Sequence, residues 1–230
     1  MTSRLQRLGI VLVLFGIAFV AAGGYTFVKT QEGAKSLQAF SVAQNVKLAY
    51  NDQGQLVDHG TTAGAAAILS LLVNDWAYPV NSADLNPNDP LVNTATEYMY
   101  QMATISYHTL HAKTTVTFDK DVVVNGQVVQ AAGTYDFTNT GKYWTGFDRT
   151  DPIQAAAREK VWTATALALV GELGVGSVTA SALTMGLGIA ALFGLIGLTV
   201  LMTGLGLVWA TRPVTEKVRV PAFKQVANPA

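Results

Sequence analysis

The chain has 230 residues, of which 50% are hydrophobic and only 13% are charged, and its formal net charge is zero. Average soluble domains carry about 25% charged residues, so roughly half of the usual charge is missing. The deficit lies in two segments, 8–28 with no charged residue and 161–211 with only Glu172. The chain has no cysteine, which excludes disulfides, thiolate-bound zinc and thiol nucleophiles.

The first apolar segment predicts a transmembrane helix over about 5–30. About 20 apolar residues suffice to cross the hydrocarbon core. The segment ends in Tyr25, Phe27 and Lys29, which are typical of the membrane interface. The two arginines before it would also suit a cleaved signal peptide, but the apolar run exceeds the usual 7–15 residues. We therefore predict a retained anchor, with cleavage as the alternative.

The second apolar segment is too long for one crossing. Trp162 and Trp209 are 47 residues apart, which is about 70 Å of helix against a hydrocarbon core of about 30 Å. Either 161–182 and 186–210 form a hairpin, or an outer helix continues into one span over 184–211. We favour the continuous helix, because a hairpin would place the basic C-terminal tail outside and leave little room for a turn.

Both predicted spans carry small residues on one face. In the first span they recur every seven residues, and in the second they fall within about 80° of one another on a helical wheel. Small residues allow helix backbones to approach closely in lipid, so these faces predict helix packing, either between the two spans or with another subunit. The predicted packing residues are Gly9, Gly16, Gly23, Gly186, Ala190, Gly194, Gly197 and Gly204.

The charges are distributed asymmetrically. The terminal tails hold six basic residues and one acidic residue, whereas the chain from Lys29 to Glu172 holds 9 basic and 14 acidic residues. Because basic residues near membrane ends stay in the cytoplasm, both termini are predicted to be cytoplasmic. The protein is then a multi-pass protein of the cell (plasma) membrane with its central domain outside. A net-acidic domain also argues against nucleic acid as a partner.

Between the spans, the sequence predicts a small α+β domain. Short alternating segments predict strands, with Asn125-Gly126 as a type I′ turn. A further short hairpin is predicted from 44–50 with 55–57. The predicted strands of the alternating segments cover 114–118, 122–124, 127–130 and 134–137.

Three helices are predicted outside the first span. Apolar spacing predicts one over 62–76, and Asp89-Pro90 predicts the cap of a second that ends near Ala112. Asp151 followed by Pro152 predicts the start of a third. The predicted organisation is a tail and first span (1–30), an extracytoplasmic domain (31–150), an outer helix (151–183), a second span (184–211) and a basic tail (212–230).

The best metal candidate in the sequence is Glu97 with His108 and His111, which share one face of a predicted helix. However, Glu97 and His108 are about 16 Å apart along the helix axis, too far for one ion. Histidines also occur at helix C-termini because they interact favourably with the helix dipole. We therefore predict no metal and no cofactor.

Asp58 beside His59 suggests an acid–base pair, but side chains of adjacent residues project in different directions. No candidate serine lies in a Gly-x-Ser-x-Gly elbow. The sequence therefore predicts no catalytic residue. An enzyme would require Glu97, His108 or His59 to converge in one cleft.

An aromatic and charged cluster precedes Asp151. Aromatic and arginine side chains anchor many interfaces, so the cluster predicts a partner or ligand contact. The alternative is packing against the membrane or the following helix. The cluster residues are Tyr143, Trp144, Phe147 and Arg149.

Three short motifs carry a resemblance to a known group. They are Asp151-Pro152-x-x-Ala155, Ser177-Val178-Thr179-Ala180 and Met185-Gly186-Leu187-Gly188. With the N-terminal anchor, the chain resembles small two-pass envelope proteins of high-GC Gram-positive bacteria, whose function is largely unassigned. Some of these carry the label of aromatic ring-opening dioxygenase, which the spacing of the three histidines does not support. The resemblance implies a two-pass envelope protein.

The sequence as a whole predicts a non-enzymatic accessory, assembly or stabilising subunit of a membrane or envelope complex. Its predicted partners are the lipid bilayer and either other membrane protein subunits or further copies of itself. The alternative is a membrane-anchored ligand-binding or sensing module. A closed apolar pocket with convergent polar groups would indicate that alternative.

Overall fold

The protein contains two long apolar helices with a small α+β region between them. The computed structural model describes residues 2–212, so the predicted basic tail lies outside the described residues except for Arg212. The chain divides into a helical unit (2–27 with 188–212 among the described residues) and a central unit (28–187). The helices are α1 (Thr2–Gln44), α2 (Thr62–Ser70), α3 (Ala95–Leu110), α4 (Pro152–Val161) and α5 (Ala164–Ala210).

Helix α1 is longer than the sequence predicted, since it continues past Thr30 to Gln44. No proline interrupts this stretch, and alanine, leucine, lysine and glutamine favour helix. The extension also has packing partners in the central unit, where Ser41 is buried and its hydroxyl lies 2.8 Å from that of Tyr98. Asn45 ends the helix in the left-handed conformation, at φ 52°.

Helix α5 is unbroken over 47 residues, which rules out the hairpin within 161–211. The predicted outer helix over 151–183 is instead two helices, since α4 ends at Val161 and Thr163 caps α5 by accepting a hydrogen bond from the backbone N–H of Ala166 (3.1 Å). Trp162 between them is buried and donates its indole N–H to the carbonyl of Lys142 (3.0 Å). The break therefore falls at a buried tryptophan followed by the N-cap of the next helix. The predicted Asp151 cap with Pro152 at the start of α4 is confirmed.

Helix α3 begins at a different cap from the predicted one. Thr94, rather than Asp89-Pro90, caps the helix and accepts a hydrogen bond from the backbone N–H of Glu97 (3.3 Å). The carboxylate of Glu97 accepts the backbone N–H of Thr94 in return (2.8 Å). This is a capping box, which the Thr-x-x-Glu pattern signals. The helix predicted over 62–76 is confirmed as α2 followed by a π-helical turn, Leu71–Asp75.

The four strands match their predictions to within one residue. They are β1 (Lys113–Phe118), β2 (Val122–Val124), β3 (Gln127–Gln130) and β4 (Gly133–Thr138). They form two separate antiparallel pairs, β1–β4 and β2–β3. In the sequence, the pair β2–β3 lies between the two strands of the pair β1–β4. Asn125 and Gly126 both have positive φ, as a type I′ turn requires. The hairpin predicted over 44–57 is reduced to an isolated bridge between Tyr50 and Leu56.

The hydrophobic core lies in the central unit. Its fully buried residues include Ile68 of α2, Leu72 of the π-helical turn and Ala103 of α3. Leu173 of α5 and Trp162 belong to the same cluster. The core therefore joins the middle of the chain to the first half of α5.

Candidate functional site

In the helical unit, α1 and α5 pack on each other through predicted glycines. A Cβ atom added at Gly16 would lie 2.6 Å from the backbone nitrogen of Leu201, and one at Gly197 would lie 2.7 Å from that of Val20. Gly9 and Gly204 face each other, because a Cβ on either would lie within 2.9 Å of the other's carbonyl oxygen. These glycines therefore serve contact between the two helices of one chain.

The remaining packing residues behave differently. A Cβ at Gly23 would meet the carbonyl oxygen of Ala190 and the backbone nitrogen of Gly194, each at 2.9 Å. A Cβ at Gly194 itself would meet nothing within 4 Å among the described residues, so a side chain there would not enter the seam. The backbone of Gly194 faces α1, but its missing side chain points away. Gly186 lies in the central unit, against Thr30.

The β2–β3 pair is an exposed apolar hairpin. Val123 lies directly opposite Val128, and both side chains are more than half exposed. Val124 and Val129 are exposed by 50% and 47%. Because successive strand residues point to opposite faces, the hairpin presents valines on both sides. These four residues are called the valine hairpin below.

Asp58, His59 and His108 meet on the surface of the central unit. The His108 Nε2 atom lies 3.0 Å from the Asp58 Oδ1 atom, and the two histidine rings meet edge to face with centroids 4.7 Å apart. One carboxylate oxygen and one nitrogen from each ring all lie within 4.8 Å of one another. Asp58 and His59 both face His108, which lies 50 and 49 residues further along the chain.

The other two members of the predicted metal set lie elsewhere. Glu97 is buried at the opposite end of α3, where its carboxylate also accepts the backbone N–H of Asn93 (3.0 Å). Burial raises the pKa of Glu97, although these hydrogen bonds oppose the shift. His111 places its Nδ1 atom 2.8 Å from the carbonyl of Tyr107. Of the predicted set, only His108 reaches Asp58 and His59.

The half-buried Tyr50 and the buried Tyr100 are electrostatically linked to Glu97 and Asp58. Burial raises the pKa of Tyr50, and the charge of Glu97 raises it further. Burial and then the charge of Asp58 raise the pKa of Tyr100. Among residues 2–212, neither hydroxyl has a hydrogen-bond partner.

The aromatic cluster before α4 is largely engaged within the protein. The Tyr143 hydroxyl accepts the indole N–H of Trp76 (2.8 Å), and its ring stacks on Trp162 at 5.9 Å. The guanidinium of Arg158 lies 4.1 Å above the ring of Trp144, a cation–π contact. These contacts fix both aromatic rings in place.

The other two cluster residues separate. Phe147 is buried beside Phe137, with ring centroids 5.8 Å apart, so it is a core residue and not a surface contact. Arg149 is exposed. An open apolar cavity of about 290 Å³ lies beside the cluster. Its lining includes Trp76, Met102, Tyr143, Trp144, Trp162 and Leu167.

A larger groove of about 780 Å³ also lies in the central unit. Polar and apolar residues line it, from 30–38 of α1, 93–96 at the start of α3 and 180–187 of α5. Like the aromatic cavity, it opens to the surface. Neither has the closed apolar form with convergent polar groups that is typical of a small-molecule site.

The fold and these surfaces define a protein with two helices long and apolar enough to cross a membrane and a small α+β region between them. Comparison with known proteins gives no match to a family model, a curated protein or a solved structure.

Proposed function

We propose that this chain is a non-enzymatic integral membrane protein that acts as an accessory or assembly subunit of a membrane or envelope complex. The valine hairpin is its partner-binding surface. The proposal places both termini in the cytoplasm and the central unit outside the plasma membrane. The exposed valines carry the proposal, and the properties of the two long helices support it.

The apolar surfaces of α1 and α5 favour a lipid environment. In the most apolar 18-residue stretch of each helix, only 17% (α1) and 11% (α5) is buried inside the protein. A core helix of a soluble protein is mostly buried. The helical unit contains roughly 25 residues of each helix, or about 35–40 Å. A hydrocarbon core of about 30 Å matches that length.

The glycine contacts between α1 and α5 support an anchoring role. With no side chains at Gly16 and Gly197, the two backbones approach closely enough for dispersion contacts along the seam. Such a seam holds the two helices of one chain together. Partner recognition then has to use another surface.

The valine hairpin has the properties of that surface. Burying a valine contributes about 1.5–3 kcal/mol, so burying the exposed halves of four valines would contribute roughly 3–6 kcal/mol before the costs of association. Contiguous exposed apolar residues mark interaction sites in many proteins. Within residues 2–212 the two strands pair only with each other, so their outer edges also offer backbone groups to a partner strand.

The test replaces Val123 and Val128 with threonine in the full-length protein. Threonine keeps the β-branched shape that suits strands while making both side chains polar. In-cell crosslinking from position 124, followed by purification in mild detergent, should show a specific adduct that the double variant loses. A matched control replaces Thr117 and Thr134, the exposed cross-strand pair of β1–β4, with serine and should keep the adduct.

An unchanged adduct in the threonine variant would refute the hairpin as the binding surface. A protein that is monomeric in cells and forms no adduct from position 124 would refute the assembly function itself.

A further inference from the structure

The cluster of Asp58, His59 and His108 has the donor set of a metal site. Neutral imidazole nitrogens and a carboxylate oxygen are ligands of Zn²⁺ and other first-row divalent ions. Bonds of about 2.0–2.2 Å place neighbouring ligand atoms roughly 3–3.5 Å apart around such an ion. The 3.0 Å between His108 Nε2 and Asp58 Oδ1 is close to this spacing. Because His59 is exposed, its ring can turn to complete the set.

The local backbone holds Asp58 and His59 in place. The backbone N–H groups of Asp58 and Thr61 each donate to the other's carbonyl at 3.0 Å, which closes a tight turn. Within it, His59 has φ 47° and Gly60 has φ 76°. Histidine is among the residues that adopt this left-handed conformation, which a type I′ turn requires at both of its central positions. Here it directs the imidazole toward α3.

The carboxylate of Asp58 packs closely against the backbone of Gly64. A Cβ atom at Gly64 would lie 3.1 Å from the Asp58 Oδ2 atom, so the glycine leaves room for the carboxylate at the start of α2. The Asp58 side chain is only 13% exposed, whereas that of His108 is 41% exposed. The site therefore combines one nearly buried oxygen donor with two nitrogen donors that solvent reaches.

A simple ion pair accounts for only part of this arrangement. Pairing of Asp58 with His108 would not need the His59 ring, which lies against the His108 ring with a nitrogen within 4.8 Å of both other donor atoms. We infer that Asp58, His59 and His108 bind one divalent transition-metal ion, with Zn²⁺ as the ion of choice. Three protein ligands leave a further coordination position open to solvent. This inference is independent of the valine hairpin, which shares no residue with the site.

The experiment uses the full-length protein in detergent after chelator treatment. Added Zn²⁺ is measured by calorimetry and elemental analysis, and Co²⁺ serves as a spectroscopic probe whose visible absorption reports nitrogen and oxygen coordination. We expect about one equivalent of Zn²⁺ per chain, as the three-ligand geometry implies. Asp58→Asn, His59→Ala and His108→Ala should each weaken binding at least about tenfold.

His111→Ala is the matched control, because His111 is exposed at the same helix end and faces the carbonyl of Tyr107. It should bind Zn²⁺ like the parent. Substitution of the exposed His59 removes a ligand without touching the core, so loss of binding there is not loss of the fold. Zn²⁺ should also raise the melting temperature of the parent and of His111→Ala but not that of His59→Ala, since a ligand stabilises only the state that binds it.

Two results would overturn the inference. One is the absence of stoichiometric Zn²⁺ or Co²⁺ binding by the parent protein. The other is equal binding by the parent, His59→Ala and His108→Ala, which would place the ion elsewhere.

Discussion

Alanine at Gly197 should weaken the seam between α1 and α5, whereas alanine at Gly194 should not. The two glycines lie three residues apart on the same helix, and each variant adds one methyl group. A Cβ at Gly197 would lie 2.7 Å from the backbone nitrogen of Val20 and 3.0 Å from the carbonyl oxygen of Gly16. A Cβ at Gly194 would meet no atom of the described part of the chain within 4 Å.

The magnitude follows from these distances. Carbon atoms pack best about 3.5–4.0 Å apart, so the helices must separate by roughly 1 Å to accept the methyl at 197. Overpacking of this kind costs about 1–3 kcal/mol. Replacing glycine by alanine in a helix is worth about 1 kcal/mol in propensity, but that gain is common to both variants and cancels. Gly197→Ala should therefore be less stable than Gly194→Ala by about 1–3 kcal/mol.

The assay is unfolding of the purified full-length protein in mixed micelles, followed by circular dichroism. Half-life at a fixed elevated temperature is a second measure if unfolding proves irreversible. Leu192→Phe, on an exposed position of α5, controls for added bulk that meets only lipid or detergent. Equal stability of the two alanine variants would show that the predicted seam does not form, and the anchoring argument would lose its structural basis.

Two further predictions concern the central unit and its location. Burial raises the pKa of Glu97 above its ordinary value of 4.5. Between the pKa of the unfolded chain and that of the folded chain, the folded chain holds a proton that the unfolded chain has released. Stability should therefore fall as the pH rises from the unfolded pKa to the folded one. Glu97→Gln keeps a capping-box acceptor without the charge, so thermal melts should show its stability rising relative to the parent as the pH is raised above 4.5. A stability difference that does not change with pH would contradict the shift. Because the chain lacks cysteine, single introduced cysteines can map its topology. A thiol reagent that does not cross the membrane should label a cysteine at position 127 in intact cells, and one at position 217 only after permeabilisation. The reverse pattern would refute the orientation.

Local sequence patterns predicted much of the secondary structure. The apolar length of the two spans, the alternation in β1–β4 and the Asn125-Gly126 turn each depend on neighbouring residues, so they could be read directly. The Thr-x-x-Glu capping box at Thr94 was also present in the sequence. The prediction placed the cap at Asp89 instead, because Pro90 suits the first position of a helix. The length of α1 could not be predicted from local patterns. Its C-terminal part is stabilised by contacts with distant residues of the central unit, such as that of Ser41 with Tyr98.

The sequence by itself determined that the chain has two apolar helices with a mixed domain between them, because helical and strand periodicity are properties of short segments. Only the tertiary structure decided which distant residues meet. It brought Asp58 to His108 across 50 residues and set Gly16 against Leu201. It also left the backbone of Gly194 in the seam while directing its side-chain position away from α1. A helical wheel gives the direction of a side chain, but the partner on that side depends on how the chain folds back in space.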